Sequence, residues 1–260
     1  MKANAKINLA LVVGPVRPDG KHEIATVFQR LELADEVTLD AADRLAVDGF
    51  DGDTLVRDAL TSVAAAGGVE PRWRARIEKR IPVAAGLGGG SADAAAALRL
   101  GNERLPNPLD ERGLHELAAV LGADVPFFLT LGSQLGTGDG STLVPLELPR
   151  NYSVVLLVPR NAVKESTAVV YGRFDREAGF EKRRAYLLDT LAAGDLSALP
   201  PNDLASSPLA AQLEDLGAFR ADVTGAGPAV YGLFRTRDGA EEAARRLEPL
   251  GRTYVTEPAW

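Results

Sequence analysis

The chain has 260 residues, 46% hydrophobic and 25% charged, with a formal net charge of −7, no cysteine and two histidines. That length buries a substantial core as one large domain or two modest ones, and the lack of cysteine excludes a disulfide framework, a thiolate metal site and a cysteine nucleophile. His22 and His115 are too few for an imidazole metal centre, the acidic balance argues against nucleic-acid binding, and no apolar stretch approaches the length of a bilayer span.

The N-terminus has a basic start and an apolar run. Asn8 interrupts the run, and Gly14-Pro15 and Arg17-Pro18 follow it, so Ala5 to Val13 reads as a strand and not a signal peptide, with a cytoplasmic protein as the expectation. Lys6 and Asn8 share one face of this strand, opposite Ile7 and Leu9. A polar edge strand would look the same. Thr26 to Leu33 and Glu36 to Asp40 read as further strands, and Asp53 to Ala66 as a helix through Leu55, Ala59, Leu60 and Val63.

Trp73 to Ile81 alternates like a half-buried strand, which Pro82 would end. The run Pro82-Val83-Ala84-Ala85-Gly86-Leu87-Gly88-Gly89-Gly90-Ser91-Ala92-Asp93 follows, then strong helix formers to Leu100. Ser91 is the expected N-cap. Glycines without Cβ let backbone N–H groups close around an anion, and the positive end of the helix dipole faces the same point, so a phosphate is the expected ligand. No Lys-Ser or Lys-Thr follows the glycines as in a Walker A loop, and Asp93 occupies the third glycine of a dinucleotide fingerprint. An acidic protein that binds a polyanion must concentrate positive charge, which draws attention to Lys6, Lys21, Lys79 and Arg80.

Pro106-Asn-Pro108 breaks the chain, and Asp110 caps a helix through Leu114, Leu117, Ala118 and Leu121 that stops at Gly122. Asp124 then precedes a Pro126-led turn, either as a plain N-cap or as a functional carboxylate. Gly132 to Gly140 reads as a loop or hinge. Beyond it lie strands at Ser153 to Val158, Ala229 to Phe234 and Thr253 to Thr256, and helices at Lys182 to Ala193, Leu204 to Leu216 and Gly239 to Leu250. That alternation suggests a ferredoxin-like α+β sandwich. Asp222 to Pro228 forms a second glycine turn, a tight turn or a second backbone cradle.

In this order, Lys6 to Leu9, Pro82 to Ala97, the Asp124 segment and Thr224 to Pro228 resemble the GHMP kinase superfamily over nearly the whole chain. Finer likenesses point to one branch, whose acceptor is a methylerythritol linked to CDP. They are the triple glycine before Ser91, Asp19-Gly20 with His22-Glu-Ile, Gly122 to Pro126, Gly136-Thr-Gly138, Ser166 to Tyr171 and Asn202-Asp203-Leu204. The resemblance implies a two-domain α+β GHMP kinase fold. Residues 1–150 would form an ATP-binding domain of the ribosomal protein S5 domain 2-like type, carrying the phosphate loop and Asp124. Residues 151–260 would form a ferredoxin-like α/β sandwich contributing to the substrate site.

The implied reaction passes the ATP γ-phosphoryl to the acceptor's 2-hydroxyl, in isoprenoid precursor synthesis by the non-mevalonate route. By the same resemblance, Asp124 lies at that hydroxyl as base or anchor, and Lys6 beside it favours its ionised form and stabilises the transferring group. Pro82 to Ala92 wrap the ATP phosphates, Lys79 lies near the nucleotide, Mg²⁺ bridges the phosphates, and Ser91 caps the helix or touches the metal. Asn8 and His22 hold the acceptor, Tyr171 stacks on cytosine, and Lys21, Thr167, Thr224 and Gly225 complete the substrate side. The partners are small molecules, with no nucleic acid or membrane, and the chain acts as monomer or homodimer.

Four positions depart from the family's habit: Lys21 for an aromatic over the cytosine, Thr54 for Asn before Leu55, Ala205 for Glu, and Thr224 for Ser. They fall on the base-recognition side. They leave open a kinase for another small alcohol (homoserine, mevalonate or a sugar); a catalytically silent ligand-binding member is the further alternative, against which the retained Lys6, Asp124 and phosphate loop argue.

Overall fold

A computed structural model describes residues 1–50, 55–162, 165–174 and 178–260. The chain forms two compact units: Met1–Ala5, Leu33–Pro82 and Gly88–Leu131 in the first, and Lys6–Glu32, Val83–Leu87 and Gly132–Trp260 in the second. Two long paired strands, β1 (Lys2–Val16) and β2 (His22–Ala41), contribute to both. The two strands expected at 26–33 and 36–40 are thus one, because Ala34 and Asp35 between them are buried and stay extended.

In the first unit, the end of β2 pairs antiparallel with β4 (Trp73–Glu78), from Glu36 opposite Glu78 to Ala41 opposite Trp73. The short β3 (Ala46–Asp48) runs parallel to β4 on its other side. Helix α1 (Leu55–Ala66) buries Val56, Ala59, Leu60 and Val63, the spacing legible in its sequence; Asp53 and Thr54 lie outside the described residues. It packs on α2 (Gly89–Asn102), where a Cβ on Gly101 would stand 2.6 Å from Val63. Every residue of α2 from Ala92 to Leu98 is buried, so its alanine run reflects an enclosed helix with room for nothing larger.

Helix α3 (Glu111–Leu121) starts on an Asp110 carboxylate that accepts the Gly113 N–H at 2.8 Å and stops at Gly122. All five residues of α4 (Val125–Leu129) are buried. Two expectations change here. Strand β4 stops at Glu78, and beyond Lys79 the N–H groups of Arg80 and Ile81 turn to the Asp35 carboxylate at 2.5 and 2.8 Å. Helix α2 begins at Gly89 with Gly88 (φ +72) as its N-cap, so Ser91 lies inside the first turn and does not cap it.

In the second unit, the first part of β2 pairs with β5 (Ser133–Gly138), which pairs with β6 (Thr142–Leu146). The expected loop at 132–140 is therefore mostly strand. Gly136 belongs there because a Cβ would meet the Phe28 ring at 2.6 Å. The other sheet has the order β10-β7-β9-β8, all antiparallel: β7 (Ser153–Pro159), β8 (Arg220–Val223), β9 (Val230–Phe234) and β10 (Gly251–Thr256). Between β7 and β8 come α5 (Thr167–Gly172), α6 (Phe180–Ala193) and α7 (Pro208–Asp215), and α8 (Arg237–Leu247) joins β9 to β10.

This is the ferredoxin-like topology read from the alternation. Its core gathers Val155, Leu157, Leu213, Val230 and Phe234 under the small-residue face of α8. Helix α7 starts four residues later than expected, at Pro208 capped by Ser207, because Asn202 Oδ1 holds the Leu204 N–H in a turn. Arg220, 6% exposed, ties β1 to this sheet by donating to the Leu9, Leu199 and Pro200 carbonyls, beside a Tyr231 hydroxyl that also donates to Leu9. That anchor lies just past Lys6 and Asn8.

Candidate active site

In the second unit the Lys6 row is assembled as its alternation suggested. Lys6, 4% exposed, donates from Nζ to Asn8 Oδ1 at 2.7 Å and lies 5.5 Å from the Phe28 ring centre. Asn8 Nδ2 donates to Thr26 Oγ1 at 2.7 Å, and Thr26 Oγ1 donates in turn to the Ala10 carbonyl. The Asn8 amide is thus oriented at both ends and aims its oxygen at Lys6. The Asn8 backbone N–H donates to Thr224 Oγ1 at 3.0 Å, bringing the second glycine turn against β1. A Cβ on Gly225 (φ +59) would stand 3.2 Å from Asn8 Oδ1 and 3.6 Å from Lys6 Nζ. Asn202 pins this turn by donating to the Val223 and Gly225 carbonyls.

The Val83–Leu87 arm of the phosphate loop lies on the same turn. Ala229 N–H donates to the Ala85 carbonyl, and Lys6 N–H to that of Leu87 at 3.0 Å. Gly86 and Gly227 meet backbone to backbone, since a Cβ on Gly227 would lie 2.3 Å from Gly86 Cα. The two glycine motifs, far apart in sequence, are therefore one contact that admits no side chain at either position. Ala84, with φ +58, is the non-glycine residue in the left-handed region among the described residues.

His22 Nδ1 lies 2.8 Å from the Gly14 carbonyl; a carbonyl only accepts, so Nδ1 carries a proton. The His22 ring lies 5.6 Å from that of Tyr171 and meets Phe174 edge-on at 5.8 Å. Lys21 is half exposed and donates to Asp139 Oδ2 at 2.6 Å. Burial opposes the charge on Asp139, but hydrogen bonds from Lys21 and Ser141 outweigh it and push its carboxyl down to about 2. Thr167, the first residue of α5, is exposed.

In the first unit, Pro82 is buried, and Gly88, Gly89, Gly90, Ser91 and Ala92 form the entry to α2. The opening N–H groups of any helix lack intrahelical partners and gather partial positive charge, which makes this entry an anion site in waiting. Lys79 Nζ donates to Asp35 at 2.5 Å and to Asp93 at 2.7 Å, both carboxylates essentially buried. Burial disfavours the Lys79 ammonium, yet the two carboxylates prevail and its pKa is raised. Asp124 occupies the N-cap position of α4 (φ −84, ψ −18), but its side chain makes no capping bond to that helix.

Sequence reasoning passed over Asp35, Asp93 as a functional group, and Asp139. A lone Asp in an otherwise apolar, alanine-rich helix was the available signal, since a buried carboxylate requires a cation or several donors. Among the described residues, no group of three or more His, Asp or Glu could hold a metal ion, and no helix is long and apolar enough to cross a membrane.

The fold is that of a small-molecule kinase of the GHMP class. The family descriptions "GHMP kinases N terminal domain" and "GHMP kinases C terminal" match residues 54–132 and 202–251. The chain is 39% identical to the 4-diphosphocytidyl-2-C-methyl-D-erythritol kinase of Streptomyces avermitilis, over 96% of this chain and 93% of the relative. It is 36% identical to that of Chlorobium phaeobacteroides, over 99% and 96%. A crystal structure of 4-(cytidine 5'-diphospho)-2C-methyl-D-erythritol kinase superposes with a TM-score of 0.84 at 31% identity, covering 100% of this chain and 99% of that one. The chain belongs to the 4-diphosphocytidyl-2-C-methyl-D-erythritol kinase family within the GHMP kinases.

Proposed function

We propose that the chain transfers the γ-phosphoryl of ATP to the 2-hydroxyl of a CDP-linked 2-C-methyl-D-erythritol, a step toward isoprenoid precursors. The observation that supports it most is the entry to α2, where Gly88, Gly89 and Gly90 carry no side chain and the helix N-terminus has no side-chain cap. Pro82, Val83, Ala84, Ala85, Gly86, Leu87, Gly88, Gly89, Gly90, Ser91 and Ala92 wrap the triphosphate, with Lys79 at their base. Asp124 accepts the proton of the acceptor hydroxyl or orients it, consistent with a carboxylate not engaged in capping α4. Lys6, oriented by Asn8, offsets negative charge on the transferring group. Phosphoryl transfer passes through a loose transition state, so positioning and charge matter more than a strong base.

His22 and Tyr171 hold the cytosine end, while Lys21, Thr167, Thr224 and Gly225 border the acceptor. Mg²⁺ takes few protein ligands and mostly phosphate oxygens and water, so the Ser91 hydroxyl, not used as a cap, fits it without a carboxylate cage. When bound, the ion neutralises phosphate charge. Residues 1–150 carry the ATP functions and 151–260 the ferredoxin-like half, in a cytoplasmic monomer or homodimer.

ADP release from Mg-ATP against a panel of alcohols tests the reading. Release with the CDP-linked polyol and none with homoserine or mevalonate is expected. No release with any acceptor overturns it.

A further inference from the structure

Lys79 and Asp93 stand 14 positions apart and bracket the glycine segment. Asp35, brought in from β2, accepts three donors: Lys79 Nζ and the N–H groups of Arg80 and Ile81. One ammonium therefore joins β2, the exit of β4 and the first turns of α2. Space is tight there: a Cβ on Gly89 would lie 3.4 Å from Lys79 Nζ and 3.2 Å from Ile81. Formally, two carboxylates and one ammonium sum to −1, so this cluster does not add attraction for a polyphosphate. Its physical effect is to fix where the segment starts and ends.

We propose that Asp35 and Asp93, acting through Lys79, are positioning residues for ATP: the three form an ion clamp across the base of the glycine loop and hold it in its anion-receiving form before the nucleotide arrives. Preorganisation of this kind removes the ordering cost that binding would otherwise meet. The proposal rests on the kinase reading above. It assigns Lys79 a geometric part rather than that of a phosphate-neutralising charge.

The test is Asp93→Asn, which keeps the shape and one acceptor oxygen but loses the charge. ATP binding by calorimetry should weaken about tenfold, as the Lys79–Asp93 ion pair is reduced to an ammonium–amide hydrogen bond. The KM for the acceptor should move by less than about twofold, and amide hydrogen exchange over residues 83–92 should quicken. Simple electrostatics gives the opposite sign, because deleting a negative charge should tighten ATP. Unchanged or tighter ATP binding therefore overturns the clamp, as does an equal rise in both KM values with unaltered loop exchange. Should Asp93→Asn not fold, Asp35→Asn serves: its amide oxygen still accepts Arg80 and Ile81, while its NH₂ cannot accept from Lys79. Wild-type protein that binds no ATP is a different outcome, and it overturns the kinase reading itself.

Discussion

Two aspartates, Asp110 and Asp124, hold the same formal position, each immediately before a helix of the first unit. Asp110 has extended backbone (φ −73, ψ 175), and its carboxylate accepts the Gly113 N–H at 2.8 Å. Asp124 has helical backbone (φ −84, ψ −18) and no side-chain bond to α4, where Pro126 already removes one N–H from the first turn. One carboxylate completes its helix, whereas the other makes no capping bond to the helix it precedes. Sequence placed both at helix starts; backbone conformation separates a structural aspartate from a candidate catalytic one.

The comparison predicts opposite phenotypes. Asp124→Asn should lower kcat by about 10³-fold or more, with the melting temperature and ATP affinity nearly unchanged, as read by steady-state kinetics and calorimetry. A mild effect would return Asp124 to the rank of a turn residue. Gly227→Ala forces a Cβ to within 2.3 Å of Gly86 Cα and should cost about 3 kcal/mol of stability, measured by urea denaturation, with weaker ATP binding. Asp110→Ala removes only a cap: about 1 kcal/mol of stability is lost and turnover stays unchanged.

The smallest effect concerns the Lys21–Asp139 pair. Because the Asp139 carboxyl is held down at about 2 in the folded protein, below its ordinary value, its contribution is complete above the unfolded pKa and fades as pH falls from about 4 toward 2. Lys21 is half exposed, so solvent screens the pair and Lys21→Met should cost only about 0.5 kcal/mol. Acid titration of the melting temperature should show the difference between variant and wild type shrinking across that window.

Local chemistry made the glycine loop, the Asp110 cap and the ferredoxin-like half legible, because glycine clusters, capping residues and apolar spacing act within a few residues. Long-range pairing was not legible. Gly136 looks like a loop residue until Phe28 lies across it, and β8 was hidden beside the glycine turn that follows it. Asp35 meets Lys79 from 44 positions away, and nothing local to either residue announces the other. The contact of Gly86 with Gly227 likewise belongs to tertiary structure alone.

The central claim, phosphorylation of one particular hydroxyl, is tested most directly on the product. Purified protein is incubated with Mg-ATP and the CDP-linked methylerythritol, and the product is read by phosphorus and carbon NMR. The account predicts one new phosphate monoester on the tertiary 2-hydroxyl, formed mole for mole with ADP. ADP without a new ester, or an ester at another oxygen, would contradict it.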